Sequence, residues 1–487
     1  MAEQRRFRLG IDLGTSAAKT AVLDANGKLL AFGNASFATT AELPGQAEQN
    51  PLDWLKAVAA AAAEVRNQLG KSWSKRIGGI GLAGQLPTLV VLGDGKLLGP
   101  AITWSDSRAD AWASQLLDEQ HRDLFYRRTG MPIDGRYLAP MFRFHWQNRR
   151  TTVRAVLSAK DFLCHTLTGR IITDPSTAAG YGVRTLDGDW DAALCNFWNL
   201  EAGLLPPVEP ANSLAGSLDA TGARLLDLPV GIPVAVGAAD SVASALAMGG
   251  LTEGVVNVVM GSSAVIMDAL PRAHLDPKRR YLLTPHAHAG WFGREMDLLA
   301  VGSGLRWLER LFGWTAGELQ TRANDSPPGS NRLLFAPYLA GGEQGALWDA
   351  NLRAVLHGLT HHHRPADIAR AFLEGVQFEI RRCIDVLEES GPIKRVVVAG
   401  HMAASPLFGQ MMADTLNRPL AVFTHHSPAA IGAAFLAPAG PCAEVSGDNW
   451  IQNGIEPGVI AGTYDALYRS YLRLFPRNAR PPRGTSR

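Results

Sequence analysis

Twice in this chain, two β-prone runs flank a tight turn of small residues. The first is "GIDLGTSAAKTAVLD", from Gly10, and the second is "GVVNVVMGSSAVIMDAL", from Gly254. Each reads as a strand, a turn (Gly14-Thr15-Ser16 or Gly261-Ser262-Ser263) and a returning strand. A repeated strand–turn–strand unit, with helical patterns after each copy, predicts a duplicated α/β architecture of mixed sheets covered by helices. Duplication implies a cleft between the copies, where ligands usually bind. At 487 residues the chain also exceeds what one core supports. We place the boundary near "PVGIPVAVGAAD", Pro229–Asp240, giving residues 1–236, 237–440 and a tail, 441–487.

Local signals fill in the units. Residues 6–12 and 18–24 read as strands, and Asn26-Gly27 is a hairpin turn into a third strand near Leu29. Asn50 is the predicted cap of a helix that begins at Pro51, carries Leu55, Val58, Ala62 and Val65 at helical spacing and stops at Gly70. A strand follows at Ile77–Ala83 and another hairpin at Asp94-Gly95. In the second half, "KRVVVAG" is a strand ending at Gly400, Ser405 caps the next helix, and "RPADIARAFLEGVQFEIRRCIDVLEES" is a long amphipathic helix ended by Gly391.

Two carboxylates stand out because each sits at the end of an apolar strand beside small residues: Asp12 and Asp240. Burying an unpaired carboxylate is costly, so a positive group or a proton donor must come near. Asp240 can serve as a general base for a hydroxyl or as the N-cap of the run behind it. Asp12 can hold a divalent cation or water near phosphate oxygens. The two small-residue turns expose successive N–H groups and hydroxyls, the chemistry of an anion nest.

Other patterns are set aside. "GIGLAG", Gly79–Gly84, matches a dinucleotide fingerprint, but Gln85, Leu86, Pro87 and β-prone residues follow where a helix should open. It reads as a strand softened by glycine where another backbone approaches. No P-loop motif occurs. The histidines at 286 and 288, 361–363, and 425–426 lack metal-ligand spacing and read as solvated loop residues. Cys164, Cys195, Cys383 and Cys442 follow no disulfide or metal pattern. A net charge of +2 gives no sign of a nucleic-acid or membrane partner. No run reaches the roughly 20 apolar residues of a membrane span, so the cytoplasm is the expected location. The end, "RNARPPRGTSR", reads as a frayed terminus.

The ordered series "GIDLGTS", "GLAGQ", "ITWSDSRA", "GAADS", "VVMGSS", "PYLAGGE", "VVVAGH" and "PAAIGAAFLA" resembles the FGGY family of carbohydrate kinases, and its xylulose kinase branch most. The likeness runs from Gly10 to about Ala437. It implies two actin-like (ribonuclease H-like) domains closing on ATP, Mg2+ and a sugar or polyol, and it allows for a homodimer. By resemblance, Asp240 is the base and Asp12 the metal-associated carboxylate. Gly14, Thr15, Ser16, Gly261, Ser262 and Ser263 hold phosphate, and Gly304 lies near a hinge. Gly400, His401, Met402 and Ala403 line the adenosine pocket, while Gln85, Leu86, Pro87, Trp104 and Asp106 face the sugar.

Departures from the family pattern are equally specific. Pro87 stands where xylulose kinases carry a sugar-contacting histidine, and Ser241 follows the base where Asn or Gln is common. His401 and Met402 occupy a glycine triplet, and Met141 replaces a usual lysine. D-Xylulose is the first substrate on this reading, with another pentulose, a polyol or a sugar acid as alternatives. A non-catalytic actin-like ATP-binding protein is the alternative of another class.

Overall fold

The structure is a computed structural model that describes residues 7–70, 73–146, 152–341, 343–349, 351–403, 405–438 and 447–475. Cys442 and the stretch Arg477–Arg487 lie outside the described residues. The chain divides into two compact units: Met1–Glu253, Ala269–Gly293 and Ser427–Asn449 form one, and Gly254–Asp268, Arg294–His426 and Trp450–Arg487 the other. A single cut at 236 therefore does not separate them, because the chain returns to the first unit twice.

The first unit is built on a mixed sheet. Its order is Leu214–Ser217, Pro233–Ala235, Ile77–Gly84, Phe7–Leu13, Ala17–Leu23 and Leu29–Ser36, with the short strand Ala238–Ala239 also paired to Ile77–Gly84. Phe7–Leu13 pairs antiparallel with Ala17–Leu23 and parallel with Ile77–Gly84. One face is covered by the helix Pro51–Leu69, where the Asn50 side chain accepts from Leu52 N–H and Gly70 closes the last turn on Arg66 O, as predicted. It buries Trp54, Val58, Ala62 and Val65.

The helix Pro428–Leu436 covers the other face, and the glycines of "GIGLAG" now have a reason. A Cβ on Gly81 would fall 1.8 Å from Ala433 O, and one on Gly79 would fall 2.9 Å from Pro438. The strand carries glycine so that a helix backbone can lie against it. Gly432 in turn lets the helix Asp240–Ala247 approach, its own Cβ position being 1.8 Å from Ala243 O. The segment after 427 belongs to the first unit because it completes this face.

The second unit repeats the theme. Its sheet runs Phe292–Leu298, Ala264–Leu270, Val255–Met260, Arg395–Ala399, Leu420–Phe423, Ile451–Ile455. Again a hairpin, Val255–Met260 with Ala264–Leu270, pairs in parallel with a strand from later in the chain. The helix Pro365–Glu388 is buried along most of its length, its polar stripe included. What covers that stripe is the helix Ala461–Leu474, inside the segment that sequence alone leaves as a tail. Tyr464 OH donates to Glu374 (3.1 Å) and Tyr471 OH to Glu379 (2.7 Å). Among the described residues no helix is long and apolar enough to cross a membrane.

Candidate active site

In the first unit, three parallel strands end side by side. Leu13 pairs with Gly84, and Gly84 with Ala239. The residues that follow emerge along one edge: Gly14-Thr15-Ser16, Gln85-Leu86-Pro87, and Asp240. In open α/β sheets, the carboxyl ends of parallel strands are where ligands bind.

Asp12 is 1% exposed. Its antiparallel partner in register is Lys19, whose Nζ lies 3.3 Å from Oδ2. Asp12 Oδ1 has no hydrogen-bond partner among the described residues. The turn is tied to its neighbours: Thr15 O accepts from Gln49 Nε2 (2.7 Å) and Thr15 Oγ1 from Trp104 Nε1 (3.1 Å). Gln49 Oε1 accepts from Gln85 Nε2 at 2.8 Å, and the buried Gln85 Oε1 has no partner among the described residues. Thr15 and Gln85 thus converge on Gln49, and Trp104 joins them through the Thr15 hydroxyl. Ser16 is exposed, and Leu86 and Pro87, joined by a cis peptide bond, are half-buried.

Asp106 departs from its expected role. It is 1% exposed, and both its oxygens are occupied by Ala47 N–H and by Arg108. It holds the segment instead of offering a free carboxylate to a sugar, and Arg108, bonded also to Glu48, is the more exposed group. Nearby, burial and then the Arg108 charge push the His145 pKa down, so the ring is neutral at pH 7, and its Nε2 has no partner among the described residues.

Asp110 is pushed up to about 7 by burial and by the Asp134 carboxylate, with Arg136 opposing. The native state therefore keeps this proton over a range where the unfolded chain has lost it, and stability falls as pH rises from about 4 to about 7. Asp110→Asn should be more stable than wild type above pH 7, with the advantage shrinking toward pH 4; denaturation midpoints that run parallel across that range would refute it.

Asp240 is the first residue of its helix and not the cap, a position taken by Ala239 without a side-chain bond. Its Oδ1 accepts from Ser241 N–H at 2.9 Å, and it is partly exposed. Asp12 stands on one strand and Asp240 directly follows another, the two strands separated by two inter-strand spacings of about 4.8 Å each. One is buried against a lysine, the other half-open.

The second unit gathers the other predicted residues. Val301 and Ser303 N–H donate to Ser262 O, and Gly302 N–H to Gly261 O, docking the Gly261–Ser263 turn on the start of the helix Gly302–Phe312. Arg306 Nη2 donates to Ser262 Oγ at 3.0 Å. Gly304 lies against Phe372, 2.4 Å from where a Cβ would be. Gly400, at φ +102°, packs on Met260 O. Met402 shares a slot with Leu305, Leu319 and Gln320, beside the buried Ala403. The His401 ring stacks on His426, which stacks on His425.

Among the described residues no cluster of His, Cys, Asp and Glu could hold a metal by itself. The loop histidines 361 and 362 are exposed as expected. His286 is not: it is 3% exposed, neither ring nitrogen has a partner among the described residues, and burial pushes its pKa down to about 4. It directly follows the strand Leu282–Pro285, and its burial is not visible in the sequence pattern.

Two family models match in tandem: the N-terminal domain of the FGGY family of carbohydrate kinases over residues 7–247, and the C-terminal domain over residues 256–439. The chain belongs to the FGGY family of carbohydrate kinases. Among its relatives, a xylulose kinase of Bacillus subtilis is 30% identical over 439 residues, covering 89% of this chain and 88% of that protein. A gluconokinase of the same species is 28% identical over 452 residues, covering 88% and 86%. The solved xylulose kinase of Rhodospirillum rubrum superimposes with a TM-score of 0.83 at 29% identity, covering 96% of this chain and 98% of that one. The gluconate kinase structure of Lactobacillus acidophilus, with a TM-score of 0.86 at 24% identity, shares the fold.

This FGGY kinase is a sugar phosphotransferase with an unusual edge. Pro87 carries no polar side-chain atom, and beside it the buried Gln85 Oε1 has no hydrogen-bond partner among the described residues. Sequence reasoning missed Lys19, although the hairpin register set by Gly14-Thr15-Ser16 places it opposite Asp12. It also missed Gln49, Arg108 and His145, for which no local signal exists.

Proposed function

We propose that this kinase transfers the γ-phosphoryl group of ATP to a hydroxyl of D-xylulose, with Asp240 as the base. The observation that carries the reading is the shared edge of three parallel strands. It presents the Asp12 turn, the Gln85 loop and Asp240 together. Asp240 takes the hydroxyl proton as the oxygen attacks, while the N–H groups and hydroxyls of Gly14–Ser16 and Gly261–Ser263 hold the phosphates. Phosphoryl transfer needs positioning and charge stabilisation more than covalent chemistry, so these parts suffice.

The orphaned Asp12 Oδ1 fits a cation-bound role, with phosphate oxygens and water supplying the other ligands. Mg2+ bound there would neutralise charge on the phosphates. Lys19 holds the other Asp12 oxygen and so fixes which one faces the ligand.

The acceptor is tested by coupled ADP release with D-xylulose, L-xylulose, other pentuloses, polyols and gluconate. D-Xylulose is expected to give the highest kcat/KM. A gluconate value higher than all sugars would assign the site to sugar acids, a reading that the relatives named gluconokinase keep in view. No stimulation by any acceptor while ATP still binds would overturn the kinase reading.

A further inference from the structure

Directly behind the strand that delivers Asp240 lies a fully buried ionic cluster that the mechanism above does not use. Lys160 is 0% exposed, and its Nζ lies 2.9 Å from Asp161 and 3.2 Å from Asp174, both also 0% exposed. Burial alone lowers a lysine pKa; here the two carboxylates more than reverse it, and the ammonium stays charged. Such a cluster seldom adds stability over apolar residues of similar volume, because desolvating the charges costs as much as their attraction returns. Its geometry offers another use.

Both ends of the cluster grip the chain just before Asp240. Lys160 Nζ donates to Val236 O at 2.9 Å. Asp174 accepts from the Ser176 hydroxyl, and Ser176 Oγ accepts from Ala239 N–H at 2.9 Å. Between these two points the backbone passes through Gly237, at φ +88°, where a Cβ would strike Leu82 O at 2.3 Å. The stem of Lys160 also rests on Gly84, the last residue before Gln85, with a Cβ there falling 3.1 Å from Lys160 Cβ. Asp161, the third member, is locked by Ser158 N–H and Tyr181 OH.

We propose that Lys160, Asp174 and Ser176 are positioning residues that set where the Asp240 carboxylate stands relative to the acceptor hydroxyl. The inference rests on the reading of Asp240 as the base. None of the three touches substrate. They fix Val236 and Ala239, and the helix Asp240–Ala247 starts from that fixed point. A displacement of about 1 Å at a reacting group can cost on the order of a hundredfold in rate.

The test is Ser176→Ala, which removes the acceptor for Ala239 N–H while leaving the ion pairs, alone and combined with Asp240→Asn. Kinetics are measured per folded enzyme with ATP and the best acceptor of the panel. Expected is a fall in kcat of about tenfold or more for Ser176→Ala, an unchanged KM for ATP, and no further loss when it is added to Asp240→Asn. A wild-type kcat in Ser176→Ala while Asp240→Asn is dead would overturn the positioning role and leave the base intact. So would losses that multiply in the double variant. An active Asp240→Asn would instead overturn the base reading itself.

Discussion

Asp240→Asn is expected to lower kcat by about 10²–10⁴-fold, the usual contribution of a positioned general base, with ATP affinity unchanged. The substitution is close to isosteric and keeps an acceptor for Ser241 N–H, the bond that Oδ1 makes now. What it removes is the ability to take a proton. Initial-rate kinetics with the best acceptor, beside ATP titration by calorimetry, read both quantities. A variant with near wild-type turnover would take Asp240 out of the base role. Asp12→Asn should behave differently, because Asp12 is buried and paired with Lys19. Its loss should appear as a raised requirement for Mg2+. A variant with an unchanged Mg2+ requirement would take Asp12 out of that role.

Much of this site is written locally in the chain. The turns at Gly14–Ser16 and Gly261–Ser263, the cap at Asn50 and the stop at Gly70 follow from short-range chemistry, and each forms where the pattern puts it. What the pattern leaves out is whatever depends on distant contact. Gln49 sits just before a helix and gives no hint that it joins Thr15 to Gln85. Lys160 and Asp161 look like the first turn of an ordinary capped helix, and only the fold brings Asp174 and Val236 to them. Asp106 reads as a sugar ligand in the motif, yet its oxygens are consumed by Ala47 and Arg108. The last helix was unread because its anchors are hydroxyls of Tyr464 and Tyr471 on buried glutamates, not an apolar stripe alone.

The same dependence on distant contact sets the second large effect. Gly81→Ala is a minimal change on a strand, where alanine costs nothing intrinsically, but its Cβ would fall 1.8 Å from Ala433 O. No side-chain rotamer can relieve that contact, since the Cβ is fixed by the backbone that carries it and its partner is a backbone oxygen. The helix Pro428–Leu436 must move off the sheet, and through Gly432 it carries the helix Asp240–Ala247 with it. Overpacking a well-packed core costs about 1–3 kcal/mol, and a clash with backbone belongs at the top of that range or beyond. Gly81→Ala should therefore lose both stability and kcat, the second because Asp240 sits at the start of the displaced helix. Gly317→Ala, in the first turn of the helix Ala316–Asn324 with nothing within 4 Å of its added Cβ, is the clash-free control; it should keep kcat and lose no stability, gaining at most about 1 kcal/mol from the helix preference of alanine. Urea denaturation and turnover of the two variants decide the matter: equal stability would mean that the helix does not lie on the strand as described. Stability lost with kcat kept would mean that Asp240 is held independently of Pro428–Leu436, leaving its placement to Lys160 and Ser176.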